Sequence, residues 1–199
     1  MIRQLLFIVT SSLILLTSCT TKIVSTNYYQ LHKGSLDSIE SSYEKLNAIK
    51  PFAVAFTNKK QDIVLLELIS DSLTRIYEFN LNEQRLADTL TKYKYDTARL
   101  SSLIRKMQHT KVTWINNFDY YVNDLPQQMI YLSIKPVTIR YPFSPPKYIT
   151  LAYFRTAQSF DVKGRLLDGR RTKRIRKLND QTFYKITDRI CYTIAEKYR

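Results

Sequence analysis

The chain has almost no glycine: three residues in 199, against roughly 7% in average proteins. A glycine-rich phosphate loop has no material to be made from, so that class of nucleotide site is excluded. Cysteine is nearly as scarce, with Cys19 and Cys191 alone, and metal sites built on several cysteines are excluded with it. Histidine occurs only as His32 and His109, too far apart for an i, i+4 metal pair. No G-x-S-x-G elbow marks a nucleophile. Cys191 sits at the edge of an apolar face, which suits a buried, inert thiol. Asp119 and Asp124 have the chemistry for acid–base work, but such carboxylates are most often solvated loop residues. These gaps predict no catalysis, no metal and no cofactor. Long apolar runs are also missing after residue 19, so nothing beyond that point reads as a membrane span.

What is present starts at the N-terminus. Arg3 is the only charge before Lys22, and Leu5 to Leu16 is apolar except for Thr10, Ser11 and Ser12. A charged start and a short apolar run have the shape of a secretory signal, and the run is well under the roughly 20 residues a membrane helix needs. It ends in Leu16-Thr17-Ser18-Cys19. This resembles the lipobox of bacterial lipoprotein precursors, with Leu at −3, small residues at −2 and −1, then cysteine. The resemblance covers the leader alone. It implies cleavage before Cys19 and acylation of that cysteine, leaving 1–18 as signal peptide, 19–34 as lipidated cysteine and short tether, and 35–199 as one domain. An ordinary signal with an incidental Cys19 is the weaker reading. A cytosolic chain with Leu5–Leu16 buried is weaker still, because that run fits neither a helical nor an alternating pattern. Acidic residues directly after the cysteine are absent at Thr20, Thr21 and Lys22, which favours attachment to the outer membrane facing the periplasm. With Cys19 acylated, Cys191 has no intrachain disulfide partner.

The remaining 181 residues are enough for a single core. As a flexible coil, the tether of about fifteen residues would span on the order of 20 Å. Gly34-Ser35 reads as a helix start, Leu36, Ile39, Tyr43 and Leu46 as its buried face, and Lys50-Pro51 as its stop. Three strands follow, Phe52–Thr57, Asp62–Ile69 and Leu73–Phe79, as a meander. Leu86, Leu90, Tyr93, Thr97, Leu100, Ile104 and Met107 recur every three or four residues, which predicts one helix of about seven turns. Strand signals return at Val112–Phe118, Met129–Ile134, Val137–Tyr141, Tyr148–Arg155 and Phe160–Leu166. Pro136 marks a break, the proline-rich stretch from Tyr141 to Tyr148 a stiff loop, and Asp168-Gly169 a tight turn. A final helix is predicted from Asn179 or Asp180 to about Lys197, with Phe183, Ile186, Ile190 and Ile194 as its stripe. The order is helix, three strands, long helix, several strands, C-terminal helix. That is an α+β domain with a largely antiparallel sheet and helices on one face. Strand-strand-strand-helix occurs at 52–107 and again at 129–197, without matching residues to make it a repeat.

The formal net charge is +14, and the densest basic run is Arg170, Arg171, Lys173, Arg174, Arg176 and Lys177, with no acid among them. In an exported lipoprotein nucleic acid is not the expected partner. The run suits either a guarded sheet edge or a contact with an acidic envelope polymer, an anionic lipid or a protein partner. Tyr120, Tyr121, Tyr141, Phe143 and Tyr148 are candidate stacking surfaces, though such aromatics more often pack into the core. The sequence therefore predicts a lipid-anchored protein of the bacterial cell envelope that binds or assists an envelope assembly. Cys19→Ser is expected to abolish lipid labelling of the protein; labelling that persists at the parent level would rule the acylation site out.

Overall fold

The computed structural model describes residues 2–70, 72–122, 125–135, 147–169 and 171–197, with side chains from 23 onward except at 171 and 172. The chain divides into two compact units, Met1–Lys33 and Gly34–Arg199. The second is an α+β domain whose main sheet has eight antiparallel strands. Val137–Tyr141, Pro136 and most of the Tyr141–Tyr148 loop fall outside the described residues.

Helix α1 runs Ile2–Ile49. It is continuous through the Thr20–Gly34 stretch expected to be coil, and Gly34-Ser35 is helix interior rather than a start. A single glycine costs a helix only about 1 kcal/mol, and Ser35 makes no capping bond that would begin a new one. The stop is where the sequence puts it, because Pro51 disfavours helical geometry at Lys50. From Gly34 on, Leu36, Ile39 and Tyr43 are completely buried and Leu46 nearly so. Tyr43 donates its hydroxyl proton to the Phe52 carbonyl at 2.6 Å, and its ring meets Phe52 at 5.0 Å.

The meander forms as expected: β1 (Phe52–Phe56), β2 (Ile63–Ile69) and β3 (Thr74–Asn80) pair in sequence. The single long helix does not. Two helices take its place, α2 (Gln84–Lys92) and α3 (Thr97–His109). Lys94 adopts a left-handed φ of 56°, and Asp96 caps α3 by accepting from the Arg99 amide at 3.0 Å. The break falls where the stripe is weakest, since Tyr93 and Thr97 are only half-buried while Leu86, Leu90, Leu100, Ile104 and Met107 are fully covered. An aspartate N-cap outweighs the continuity of a hydrophobic period.

Next come β4 (Val112–Val122), β5 (Leu125–Ile134) and β6 (Tyr148–Phe154), paired in sequence, with β4 also returning to β1. The predicted strand at Phe160–Leu166 is instead a tight loop closed by a bridge between Phe160 and Leu166. The Asp161 carboxylate accepts from the amides of Lys163 and Arg165, and Gly164 takes a φ of +76° that its lack of a side chain permits. Partial desolvation would raise the Asp161 pKa, but these bonds and the Arg165 guanidinium outweigh it and hold the group below the usual carboxylate value.

The C-terminal helix is absent. In its place lie β9 (Lys177–Leu178), β10 (Gln181–Thr182), β11 (Tyr184–Lys185) and β12 (Ile190–Ala195). Asn179 and Asp180, read as a helix cap, have φ of 48° and 59° and form the two-residue turn between β9 and β10. β12 is read correctly only in its tertiary setting. Its six residues pair with Tyr148–Tyr153 of β6, and both of its faces are covered, so an apolar, β-branched run serves better as a strand than as a one-sided helix. Without that helix, the second strand-strand-strand-helix pattern does not exist.

The main sheet has the order β11-β12-β6-β5-β4-β1-β2-β3. Register separates its faces. Phe52, Val54, Leu66, Ile115, Leu132 and Leu151 lie on the face that meets the helices, where Phe52 contacts Tyr43 and Tyr95. Ala55, Trp114, Met129, Tyr131, Ala152, Phe154 and Cys191 lie on the other face. Helices on one face only was the expectation, and it holds. The opposite face is not left to solvent, because the excursion between β6 and β12 folds over it with Leu166, Leu178 and Phe183. Phe183 is wholly buried and its ring lies 5.9 Å from that of Tyr131.

Phe183→Ala is expected to cost about 3–5 kcal/mol in denaturant unfolding, while Val162→Ala, at a fully exposed side chain, stays within about 0.5 kcal/mol. Equal effects from the two would show that the excursion does not contribute to the core.

Candidate binding surface

The basic run lies outside the main sheet, in β8 (Arg171–Ile175) and, for Lys177, at the start of β9. β7 (Leu167–Asp168) pairs with β8 (Arg171–Ile175) through Leu167↔Ile175 and Asp168↔Arg171, and the turn is at Asp168-Gly169 as the sequence predicts. The run therefore does not guard an edge of the eight-stranded sheet, whose outer strands are β3 and β11.

Six basic residues were expected to act as one group, and the structure divides them. Arg176 points inward, with only 9% of its side chain exposed. Its guanidinium donates to Gln158 Oε1 and to Asp168 Oδ1, each at 3.4 Å. It also lies 5.2 Å from the centre of the Tyr120 ring, a cation–π arrangement that strengthens with desolvation. Arg176 is thus a strut between the hairpin and β4. Lys173, Arg174 and Lys177 are exposed, and among the described residues none of them is paired with a carboxylate. Arg171 is in β8, and Arg170 lies outside the described residues.

The other candidates scatter. Tyr120 is buried, Tyr121 is exposed and Tyr148 is half-buried; Tyr141 and Phe143 are outside the described residues. Asp119 is an exposed strand residue opposite Gln128, and its proposed companion Asp124 is not described. His32 lies against the Tyr28 ring at 4.4 Å, while His109 closes α3. Cys191 is buried in the sheet, and desolvation pushes its thiol well above the ordinary cysteine range. Burial likewise raises the Tyr131 hydroxyl to about 12. Neither group is poised for chemistry near neutral pH.

Two concavities were not legible in the sequence. A groove of about 750 Å³ runs between the Gly34–Ser38 turn of α1 and α3. It is lined by small residues such as Ser35, Ala98 and Ser101 and by Arg105, Lys106 and His109. Lys106 donates to Ser38 Oγ at 2.9 Å. A second, of about 450 Å³, is lined by Tyr131, Asn179, Gln181, Lys147 and Glu196, and the last two form an ion pair. Among the described residues no three His, Cys, Asp or Glu side chains gather as a metal site would require, and no helix is long and apolar enough to cross a membrane.

No family model, curated protein or solved structure matches the chain.

Arg176→Gln is expected to lower stability by about 1–3 kcal/mol, since it removes the guanidinium that the part-buried Gln158 and Asp168 accept from and that lies over the buried Tyr120 ring. Lys173→Gln, Arg174→Gln and Lys177→Gln should each stay within about 0.5 kcal/mol. Thermal melts of the four variants separate the strut from the free cations, and four equal melting temperatures would erase the distinction.

Proposed function

We propose that this protein is a lipid-anchored component of the bacterial cell envelope that acts as a binding or accessory subunit rather than an enzyme. Its acidic partner is an envelope protein, polymer or lipid, and its own contact is the β7–β8 hairpin. The anchor rests on the Leu16-Thr17-Ser18-Cys19 leader. The contact rests on one observation: Lys173 and Arg174 on β8 and Lys177 at the start of β9 stand exposed outside the main sheet, beside a fourth cation, Arg176, that is spent on the fold. Cations without carboxylate neighbours keep their charge available to a partner, at the cost of self-repulsion in a chain already at +14.

The test is a gentle detergent pull-down of the tagged lipoprotein beside a variant carrying Lys173→Gln, Arg174→Gln and Lys177→Gln. The parent is expected to retain an acidic partner that is lost in the variant and released near 1 M salt, where the screening length falls to about 3 Å. Retention that ignores both salt and the substitutions would refute the hairpin as the contact. A stoichiometric protein partner that survives the substitutions would instead favour an assembly interface elsewhere on the domain.

A further inference from the structure

The groove between α1 and α3 is a second cationic surface, made of other residues than the run at 170–177. Ala98, Ser101, Ser102, Arg105 and His109 fall on one face of α3 and form one wall. Gly34, Ser35 and Ser38 of α1 form the other. A Cβ added at Gly34 would meet nothing within 4 Å, so there is open space on the α1 side. Lys106 joins the two helices by donating to Ser38 Oγ at 2.9 Å. An ammonium has three donors, so this bond fixes the group in place and leaves two N–H bonds and the charge to a ligand. Arg105 and His109 stand one turn apart, about 6 Å along the helix axis. Both are exposed, and neither is paired with a carboxylate among the described residues.

No acid lines the groove. The carboxylates of the two helices are engaged elsewhere: Asp96 caps α3 and pairs with Arg99, Glu44 pairs with Arg155, and Glu40 interacts with Glu44, Arg189 and Asp37. Cations near a helix C-terminus suit its dipole, but the dipole would accept them on any face. Here they share a concavity with hydroxyl groups.

The groove therefore offers donors, and its complement is rich in acceptors and negatively charged. Three basic groups close together suit a phosphate better than a single carboxylate. At about 750 Å³ the groove is as large as many small-molecule sites, so a bare phosphate would leave most of it to water. No aromatic or large aliphatic side chain lines it. A nucleobase would find nothing to stack on there, and an acyl chain nothing to bury against. The hydroxyls of a sugar, by contrast, can exchange hydrogen bonds with Ser35, Ser101 and Ser102. We infer that the groove between α1 and α3 binds a small sugar phosphate, its phosphate held by Arg105, Lys106 and His109 and its sugar lying along the serines. This goes beyond the proposed function and is independent of it, since neither Cys19 nor the cations of β8 and β9 take part.

Calorimetric titration of the full-length protein in detergent tests the site, with glucose 6-phosphate, ribose 5-phosphate, glucose and inorganic phosphate as probes. At least one sugar phosphate is expected to bind with a Kd below about 1 mM. Glucose and inorganic phosphate, each lacking one half of the ligand, should bind at least about tenfold more weakly. Arg105→Gln should weaken sugar-phosphate binding about ten- to a hundredfold, as loss of hydrogen bonds from a charged group does. Ala98→Trp, which adds bulk at an exposed position of the wall, should abolish it. Both variants should melt with the parent, so lost binding is not lost folding. Lys163→Gln, in the tight loop on the opposite face of the sheet, should change nothing. If neither sugar phosphate binds saturably up to about 10 mM, or if Arg105→Gln and Ala98→Trp bind as the parent does, the site is overturned. Inorganic phosphate binding as tightly as the sugar phosphates overturns the place given to the sugar, and glucose binding as tightly overturns the role of the cations.

Discussion

An antiparallel sheet that is apolar on both faces must be covered twice, and that requirement shapes the domain. The strands β1, β6 and β12 are buried along nearly their whole length, and β5 from Met129 on, so leaving either face in water would expose several large side chains at about 25 cal/mol per Å². Helices α1, α2 and α3 close one face with short aliphatic stripes. The other face is closed without a helix, by the excursion between β6 and β12. Its few apolar residues, Leu166, Leu178 and Phe183, are held by backbone bonds such as Leu166 N–H to the Phe183 carbonyl at 2.9 Å. A cover made of turns has polar groups to spare on its outer side, and the basic hairpin grows from there.

That origin explains why one arginine of the run behaves unlike its neighbours. The excursion has to be fixed to the end of β4, where the sheet thins to a two-stranded hairpin and core contacts run out. A guanidinium is suited to this place because it can donate to Gln158 and Asp168 while stacking on Tyr120. The same composition that reads as a uniform basic patch therefore contains a structural cation and several available ones. Burial, rather than charge, distinguishes them.

Much of the sheet was legible. β1, β2, β3, β4, β5 and β6 lie within a few residues of the runs that predict them, because β-branched and aromatic clusters bounded by polar turns are local signals. The Asp168-Gly169 turn was legible for the same reason. Two failures share one cause. The stripes at Leu86–Met107 and Phe183–Ile194 both fit a helical period, yet Asp96 breaks the first and β6 recruits the second into the sheet. A period says which residues are apolar, not which neighbour they will meet. Phe160–Leu166 failed because the Asp161 side chain satisfies backbone amides that a strand would have offered to a partner.

The candidate site was legible as composition and not as a surface. Six cations in eight residues were visible, but Arg176's inward turn was not. The sequence by itself determined the absence of metal- and phosphate-binding motifs, the antiparallel α+β class and the position of the basic turn, since each depends on residue identity or on neighbours a few positions apart. Only the tertiary structure decided that the last segment is a strand, that the long stripe is two helices, and that Arg176 is spent on Tyr120 at the end of β4. Those outcomes depend on which long-range pairing buries the most surface with its backbone bonds satisfied, and that competition is settled in three dimensions.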